Sequence, residues 1–325
     1  MTGSEDTPAT GEPPRGPSAA KLATMASLER DRQTAEVYGW LRDAGVTAIL
    51  LKGPAVSSWL WPDGPREYVD ADLLVSPAQF EHAERLLRSR GYERTIFPEE
   101  IGMAVEYAAP GPAQMSVDLH RTFRHVGVEP QRCWDLLSAR TRSLSLPGGE
   151  VLVPTPIALG VIVALHSIWH EGTNERALED VRRAVHSLDL ADWRQAAGLA
   201  GDLAALEAFT AGLSTIGPGR ELVSELGLPS VTSAEFRLRL SDPPPVSLGW
   251  LALLRARRSP FQHLSWLVRE LFPPANQMRR RYAFAKNSRA GLLASYAIRL
   301  GWLVAHTPRG IRSAWRALDE ERRRR

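Results

Sequence analysis

Two carboxylates, Asp70 and Asp72, open an apolar run that continues as Leu73-Leu74-Val75. No other stretch constrains the fold as tightly. Such a run reads as a β-strand, and alternate side chains of a strand share a face. Asp70 and Asp72 therefore point the same way while the residues after them enter a core. Like charges side by side repel each other and lose hydration. A divalent cation removes that penalty, and oxygen-only ligands suit a hard ion such as Mg²⁺. The plainer reading makes Asp70 a turn or cap residue and leaves no ion there.

The flanking segments give this strand a setting. Residues 1–20 are rich in Pro, Gly, Ser, Thr and Glu, with little to bury, and an N-terminal tail over 1–25 is expected to be disordered. A helix is predicted from Ala26 to Ala44, because Val37, Trp40, Leu41 and Ala44 fall on one face. Thr47 to Leu51 reads as a buried strand that stops at Lys52-Gly53-Pro54. A strand that runs through a glycine into a helix can present backbone N–H groups to a phosphate. Pro62-Asp63-Gly64-Pro65 is a turn, and Ser76-Pro77 starts a helix closed by Gly91.

Further strands are predicted over Tyr92–Phe97, Met103–Ala108 and Met115–His120, the last carrying Asp118 near its end. A short helix over Pro130–Leu137 follows, then a hairpin about Pro147-Gly148-Gly149. The fold class is therefore α+β, a small mixed-sheet domain over 26–154. After Pro156 the pattern turns helical, giving a helical domain over 155–320 and a basic tail over 321–325. Within it, helices are predicted at Ile157–Trp169, Arg176–Leu188, Asp192–Leu199, Leu203–Leu213, Leu248–Ala256, Phe261–Leu271, Ala290–His306 and Gly310–Asp319.

Composition narrows the function. From Leu251 to Arg325 there are 17 Lys or Arg and 4 Asp or Glu, a surplus of +13, so the first 250 residues carry −10. The basic part interleaves Arg with Trp and Phe. It reads as a helical domain with core aromatics and solvated arginines, or as a contact for an anionic membrane surface or a protein. Nucleic acid comes last among these. The single cysteine, Cys133, excludes an internal disulfide framework and a Cys-based zinc cage. With no secretory signal and no stretch of about 20 apolar residues, no transmembrane segment is expected and a cytoplasmic location is.

Three groups recur in order: Leu50-Leu51-Lys52-Gly53; Arg66 with Asp70-Ala71-Asp72 and Leu74-Val75; and Val117-Asp118-Leu119-His120. This set resembles the uncharacterised nucleotidyltransferase family of the DNA polymerase β-type superfamily, best over residues 45–190. His166, His170 and Asp180 look like that family's helical segment. The resemblance implies transfer of NMP from an NTP to a hydroxyl or similar acceptor on a small molecule or peptide, within a biosynthetic pathway. It implies two Mg²⁺ ions on Asp70, Asp72 and Asp118, with Asp118 helping to activate the acceptor. Lys52 and Gly53 would lie beside the triphosphate and Arg66 would neutralise it. The superfamily's usual Gly-Ser ahead of the acidic pair is replaced by Lys-Gly-Pro, so a catalytically degenerate binding protein is the alternative. A glycosyltransferase using a nucleotide sugar is the third reading, but it needs a large sheet ahead of Asp70, where one short strand fits. His120 could orient the acceptor or act as a base. His166 and His170 share a helix face, with a structural role favoured over zinc.

Overall fold

The computed structural model describes residues 18–64, 66–95, 103–111, 114–169, 174–241, 246–255, 268, 271–286 and 288–324. The chain divides into two compact units, one of Met1–Thr122 with Ser138–Pro154, the other of Phe123–Leu137 with Thr155–Arg325. It is α+β, with the sheets in the first unit and helices making up the second.

The first unit begins with α1 (Ala19–Asp43), capped by the Ser18 side chain, which accepts from Lys21 N. The helix thus starts ahead of Ala26, and residues 19–25 belong to it rather than to a tail. Val37 and Leu41 are buried on its inner face as predicted, while Trp40 is half-buried. The Tyr38 hydroxyl donates to Ala48 O at 2.9 Å and accepts from Leu152 N at 3.1 Å. One phenol so ties α1 to β1 (Ala48–Leu50) and to a later hairpin. After β1 come α2 (Pro54–Leu60), β2 (Asp70–Val75) and α3 (Phe80–Ser89). Next are β3 (Glu93–Arg94), β4 (Ala104–Ala108) and β5 (Ser116–His120). The predicted strand over Tyr92–Phe97 is realised only as β3; residues 96–100 lie outside the described residues.

The five strands form one mixed sheet in the order β1-β2-β5-β4-β3, with β2 and β5 parallel and the other pairs antiparallel. Leu73, Leu74 and Val75 of β2 are fully buried. At about 1.5–3 kcal/mol for each such side chain, this burial outweighs the cost of placing acidic residues at the strand's start. α4 (Pro130–Ser138) follows, and β6 (Thr141–Leu146) with β7 (Gly149–Pro154) forms the predicted hairpin, turning at Gly148 with φ of 103°.

The second unit is built on α5 (Pro156–Trp169), which is apolar all round and buried, as a central helix must be. α6 (Glu175–Ser187), α7 (Leu190–Asp202) and α8 (Leu206–Leu213) pack on it. The helix predicted over Leu203–Leu213 begins only at Leu206, because Ala204 takes φ of 50° and Ala205 is the N-cap. Among the described residues, α9 (Gly217–Glu225), α10 (Ala234–Leu240), α11 (Ser247–Arg255), α12 (Ala275–Arg281) and α13 (Arg289–Arg324) also belong to it, as does nearly all of α4. Of the helix predicted over Phe261–Leu271, most falls outside the described residues. The two helices predicted at 290–306 and 310–319 are one helix, α13, with Pro308 inside it. Pro308 sits on the exposed side, where water satisfies a carbonyl that loses its donor.

α13 closes on α10 and α11 through Leu238, Leu251, Ala314 and Leu318. Glu321 accepts from Ala234 N at 3.0 Å and pairs with Arg255. His125, with φ of 68°, packs edge-on against Phe236 at 4.9 Å and faces Glu235 Oε1 at 4.0 Å. Burial lowers its pKa from 6.5 to about 4, with the Arg239 and Arg124 charges adding to the effect and Glu235 opposing it. The folded state then holds a neutral imidazole while the unfolded chain takes up a proton between those values. Stability from this group is present above about 6.5 and is lost as pH falls toward about 4, by up to roughly 1.4 kcal/mol per pH unit. Urea unfolding at pH 7, 5.5 and 4.5 is expected to show the wild type losing stability relative to His125→Asn as pH falls. Asn accepts the positive φ and carries no titrating group.

Candidate active site

The site sits on the parallel pair at the middle of the first unit's sheet. β2 and β5 are in register with Asp72 beside Asp118, and Leu74 beside His120. Strand alternation then sets Asp70 and Asp72 on one face of β2, and Asp118 and His120 on the matching face of β5. β1 runs antiparallel on the other side of β2, with Leu51 N donating to Asp72 O at 2.9 Å. This brings the next residue, Lys52, over the same patch.

Asp72 is 3% exposed and is the hub. The Lys52 ammonium donates to its Oδ1 at 2.6 Å, and His120 Nε2 lies 3.1 Å from the same oxygen. Asp72, Asp118 and His120 each offer a ligand atom, all within 4.8 Å of one another. Asp70 stands one pleat toward the strand's start, half-buried and outside that group. The sequence had Asp70 in the trio and His120 beside it; the geometry gathers His120 with the two deeper carboxylates. The signal for this was the Asp118-Leu119-His120 alternation, which puts both side chains on one strand face.

The electrostatics report unanswered negative charge. Burial alone would raise the pKa of Asp72, but the Lys52 charge and the His120 contact outweigh it and hold Asp72 well below the usual carboxylate range. Burial, then repulsion from Asp72, lifts Asp118 to about 6, and the same two causes raise Asp70. Lys52 is held charged, since its attraction to Asp72 overcomes burial. Three carboxylates therefore share one ammonium. Two carboxylates and an imidazole, with excess negative charge around them, fit a divalent cation.

The remaining expected residues fall as follows. Gly53 has φ of 58° and ψ of −118° at the start of α2, a conformation that side chains resist. A Cβ there would stand 3.1 Å from the Tyr68 ring. Gly53→Ala is expected to cost about 1–3 kcal/mol in urea unfolding and to shift Lys52 off Asp72. Arg66 is buried at 6% exposure ahead of β2. The strongest charges acting on the three aspartates are those of Lys52, His120 and the aspartates themselves. His166 is half-buried in α5 of the second unit, Asp180 is buried in α6, and His170 lies outside the described residues.

The sheet is mixed, with acidic residues paired across its parallel strands β2 and β5. The chain belongs to the uncharacterised nucleotidyltransferase family, whose model matches residues 17–216. Among solved structures it is similar to the antibiotic-resistance factor ANT(2'')-Ia, at 13% identity and a TM-score of 0.40 over 57% of this chain and 95% of that one. It is also similar to an antigenic nucleotidyltransferase-like protein from Paracoccidioides brasiliensis, at 18% identity and a TM-score of 0.39 over 64% and 97%. A tRNA nucleotidyltransferase complexed with a primer tRNA and an incoming ATP analog matches at 17% identity and a TM-score of 0.25, over 67% of each chain. No curated protein matches the sequence.

Proposed function

We propose that the protein transfers a nucleoside monophosphate from an NTP to a hydroxyl or similar group on a small molecule or peptide, in a biosynthetic pathway. The observation that carries this is the convergence of Asp72, Asp118 and His120 beside Lys52. Asp72 and Asp118, with His120 and with Asp70 next to them, would hold divalent cations, Mg²⁺ first among them. When bound, such ions polarise the α-phosphate and neutralise the leaving pyrophosphate. The acceptor oxygen bonds to the α-phosphorus, the bond from that phosphorus to the bridging oxygen breaks, and pyrophosphate leaves. Asp118, on the acceptor side of this reading, would help take up the proton of the acceptor hydroxyl. Lys52, Gly53 and Arg66 are assigned to the triphosphate side, where charge and positioning supply most of the catalysis. In this reading residues 26–154 form the nucleotidyl-transferring domain and 155–320 the helical domain. A cytoplasmic setting belongs to the same reading.

One observation favours a second reading. The Lys52 ammonium already answers Asp72 at 2.6 Å, so the fold holds its deepest carboxylate without an ion. A degenerate member that binds but does not transfer would keep this pair. Titration calorimetry with MgCl₂ and then with each NTP separates the two. Transfer predicts that NTP binds only with the cation present. In Lys52→Met, NTP binding is expected to weaken at least about tenfold, roughly 1.4 kcal/mol, while cation binding persists. Absence of any cation or NTP binding by the wild type would sink the transferase reading.

A further inference from the structure

α13 turns an uncharged apolar stripe to solvent. Over its first half, Leu293, Ala297, Ile298, Gly301, Val304 and Ala305 all lie on the exposed side, with Leu293 at 72%, Ile298 at 52% and Val304 at 75%. At 100° per residue they fall within one arc of the helix, about 140° wide. The one charged residue between Ala290 and His306, Arg299, points the other way and is buried at 8% exposure. The opposite side is anchored: Ser295, Arg299 and Leu303 are buried there, and the Tyr296 hydroxyl donates to Pro273 O at 2.5 Å. The stripe is thus the outer face of a docked helix. Its exposed residues are aliphatic, and singly exposed apolar residues are ordinary, whereas a contiguous patch marks a contact.

Charge identifies the partner. From Leu271 to Leu318 the sequence has no Asp or Glu and nine Lys or Arg. Arg309, Arg312 and Arg316 continue the same stripe beyond Pro308 and are exposed, with Trp315 49% exposed among them. Before the stripe, Arg281, Lys286 and Arg289 are exposed, as is Phe284 at 51%. An apolar centre flanked at both ends by cations and exposed aromatics matches a bilayer surface, with acyl chains below and anionic headgroups around. A second copy of the same face would bring like charges together. No helix among the described residues is long and apolar enough to cross a membrane.

We propose that the exposed stripe of α13, Leu293 through Ala305, seats the protein on the surface of an anionic lipid bilayer, with Arg309, Arg312 and Arg316 on the headgroups. This stands apart from the reading of the Asp72 site. The test is flotation of the full chain with phosphatidylcholine vesicles, with and without phosphatidylglycerol. The expected result is binding only when phosphatidylglycerol is present, weakened at least about tenfold by raised salt. Ile298→Glu with Val304→Glu, both solvent-facing, should abolish binding at unchanged thermal stability. Arg312→Glu with Arg316→Glu should weaken it about tenfold or more and serves if the first pair fails to fold. The proposal is overturned if the wild type does not float with anionic vesicles, or floats equally with neutral ones. It is equally overturned if the Glu pair floats like the wild type. A wild-type dimer that the Glu pair turns into monomer, without vesicle binding, would assign the face to a second copy instead.

Discussion

Asp72→Asn is expected to lower turnover by at least about 100-fold, roughly 2.7 kcal/mol of transition-state stabilisation. Asn keeps the shape and removes the charge. At this position the charge is what organises the site: Asp72 is 3% exposed, and both Lys52 Nζ and His120 Nε2 converge on its Oδ1. Without it Asp118 loses the carboxylate that most raises its pKa, and of the three clustered candidate ligands only Asp118 and His120 remain, with Asp70 beside them. The Lys52 ammonium is left beside a neutral amide, yet its side chain is 21% exposed and can turn to water. The stability loss should therefore stay near 1–2 kcal/mol, below the 3–5 typical of breaking a fully buried pair. Steady-state kinetics beside urea unfolding separates the two effects. A variant that folds and retains full turnover with the cation present would remove Asp72 from the chemistry.

Gly212→Ala is expected to cost at least about 3 kcal/mol and to unfold the second unit near physiological temperature. α8 crosses α5 at this residue, and an added Cβ would lie 2.0 Å from the Ala164 carbonyl oxygen. The obstacle is backbone at the centre of a buried helix, so no side chain can swing aside, and overpacking of this kind distorts the surrounding helices. The Ser167 hydroxyl donates to Gly212 O at 3.1 Å across the same junction and would be displaced with it. Gly198→Ala is the matched control. It lies in α7 with open space around its Cβ position, so the added helix propensity should stabilise by about 0.5–1 kcal/mol. Thermal melts of the two variants are expected to move in opposite directions.

Much of the first unit was legible in the sequence because its signals are local. Asp70-Ala71-Asp72 before Leu73-Leu74-Val75 and the alternation around Asp118 give β2 and β5. Pro147-Gly148-Gly149 gives the hairpin, and Ser76-Pro77 marks the entry to α3 through a 3-10 turn. The sequence does not carry partners across strands. The register that sets Asp72 against Asp118 arises from sheet assembly, and so does the seat of Lys52 on Asp72 rather than on a phosphate. His120 entered as a neighbour of the site and emerged beside its deepest carboxylate for the same reason.

The second unit was read less well because its determinants are tertiary. The segment Gly217-Pro218-Gly219, to which no element was assigned from sequence, opens α9, with Gly219 so close to the Leu213 carbonyl that only glycine fits. Pro308 looks like a break yet lies within α13, whose packing on α10 and α11 continues beyond it. The aromatics of the basic part were left open between a core and a contact surface. Phe272, Phe284 and Trp315 are about half exposed, and it is on this exposure, with the charge surplus, that the proposed bilayer contact rests.

The central claim, transfer of a nucleotidyl group at the Asp72 cluster, is tested most directly by isotopic labelling. The protein is incubated with Mg²⁺, a host extract and NTPs carrying ³²P at either the α or the γ position. Nucleotidyl transfer predicts that an acceptor gains label from the α position alone, and that Asp72→Asn abolishes the product. Label arriving from the γ position, or α-label that persists undiminished in Asp72→Asn, would contradict the account.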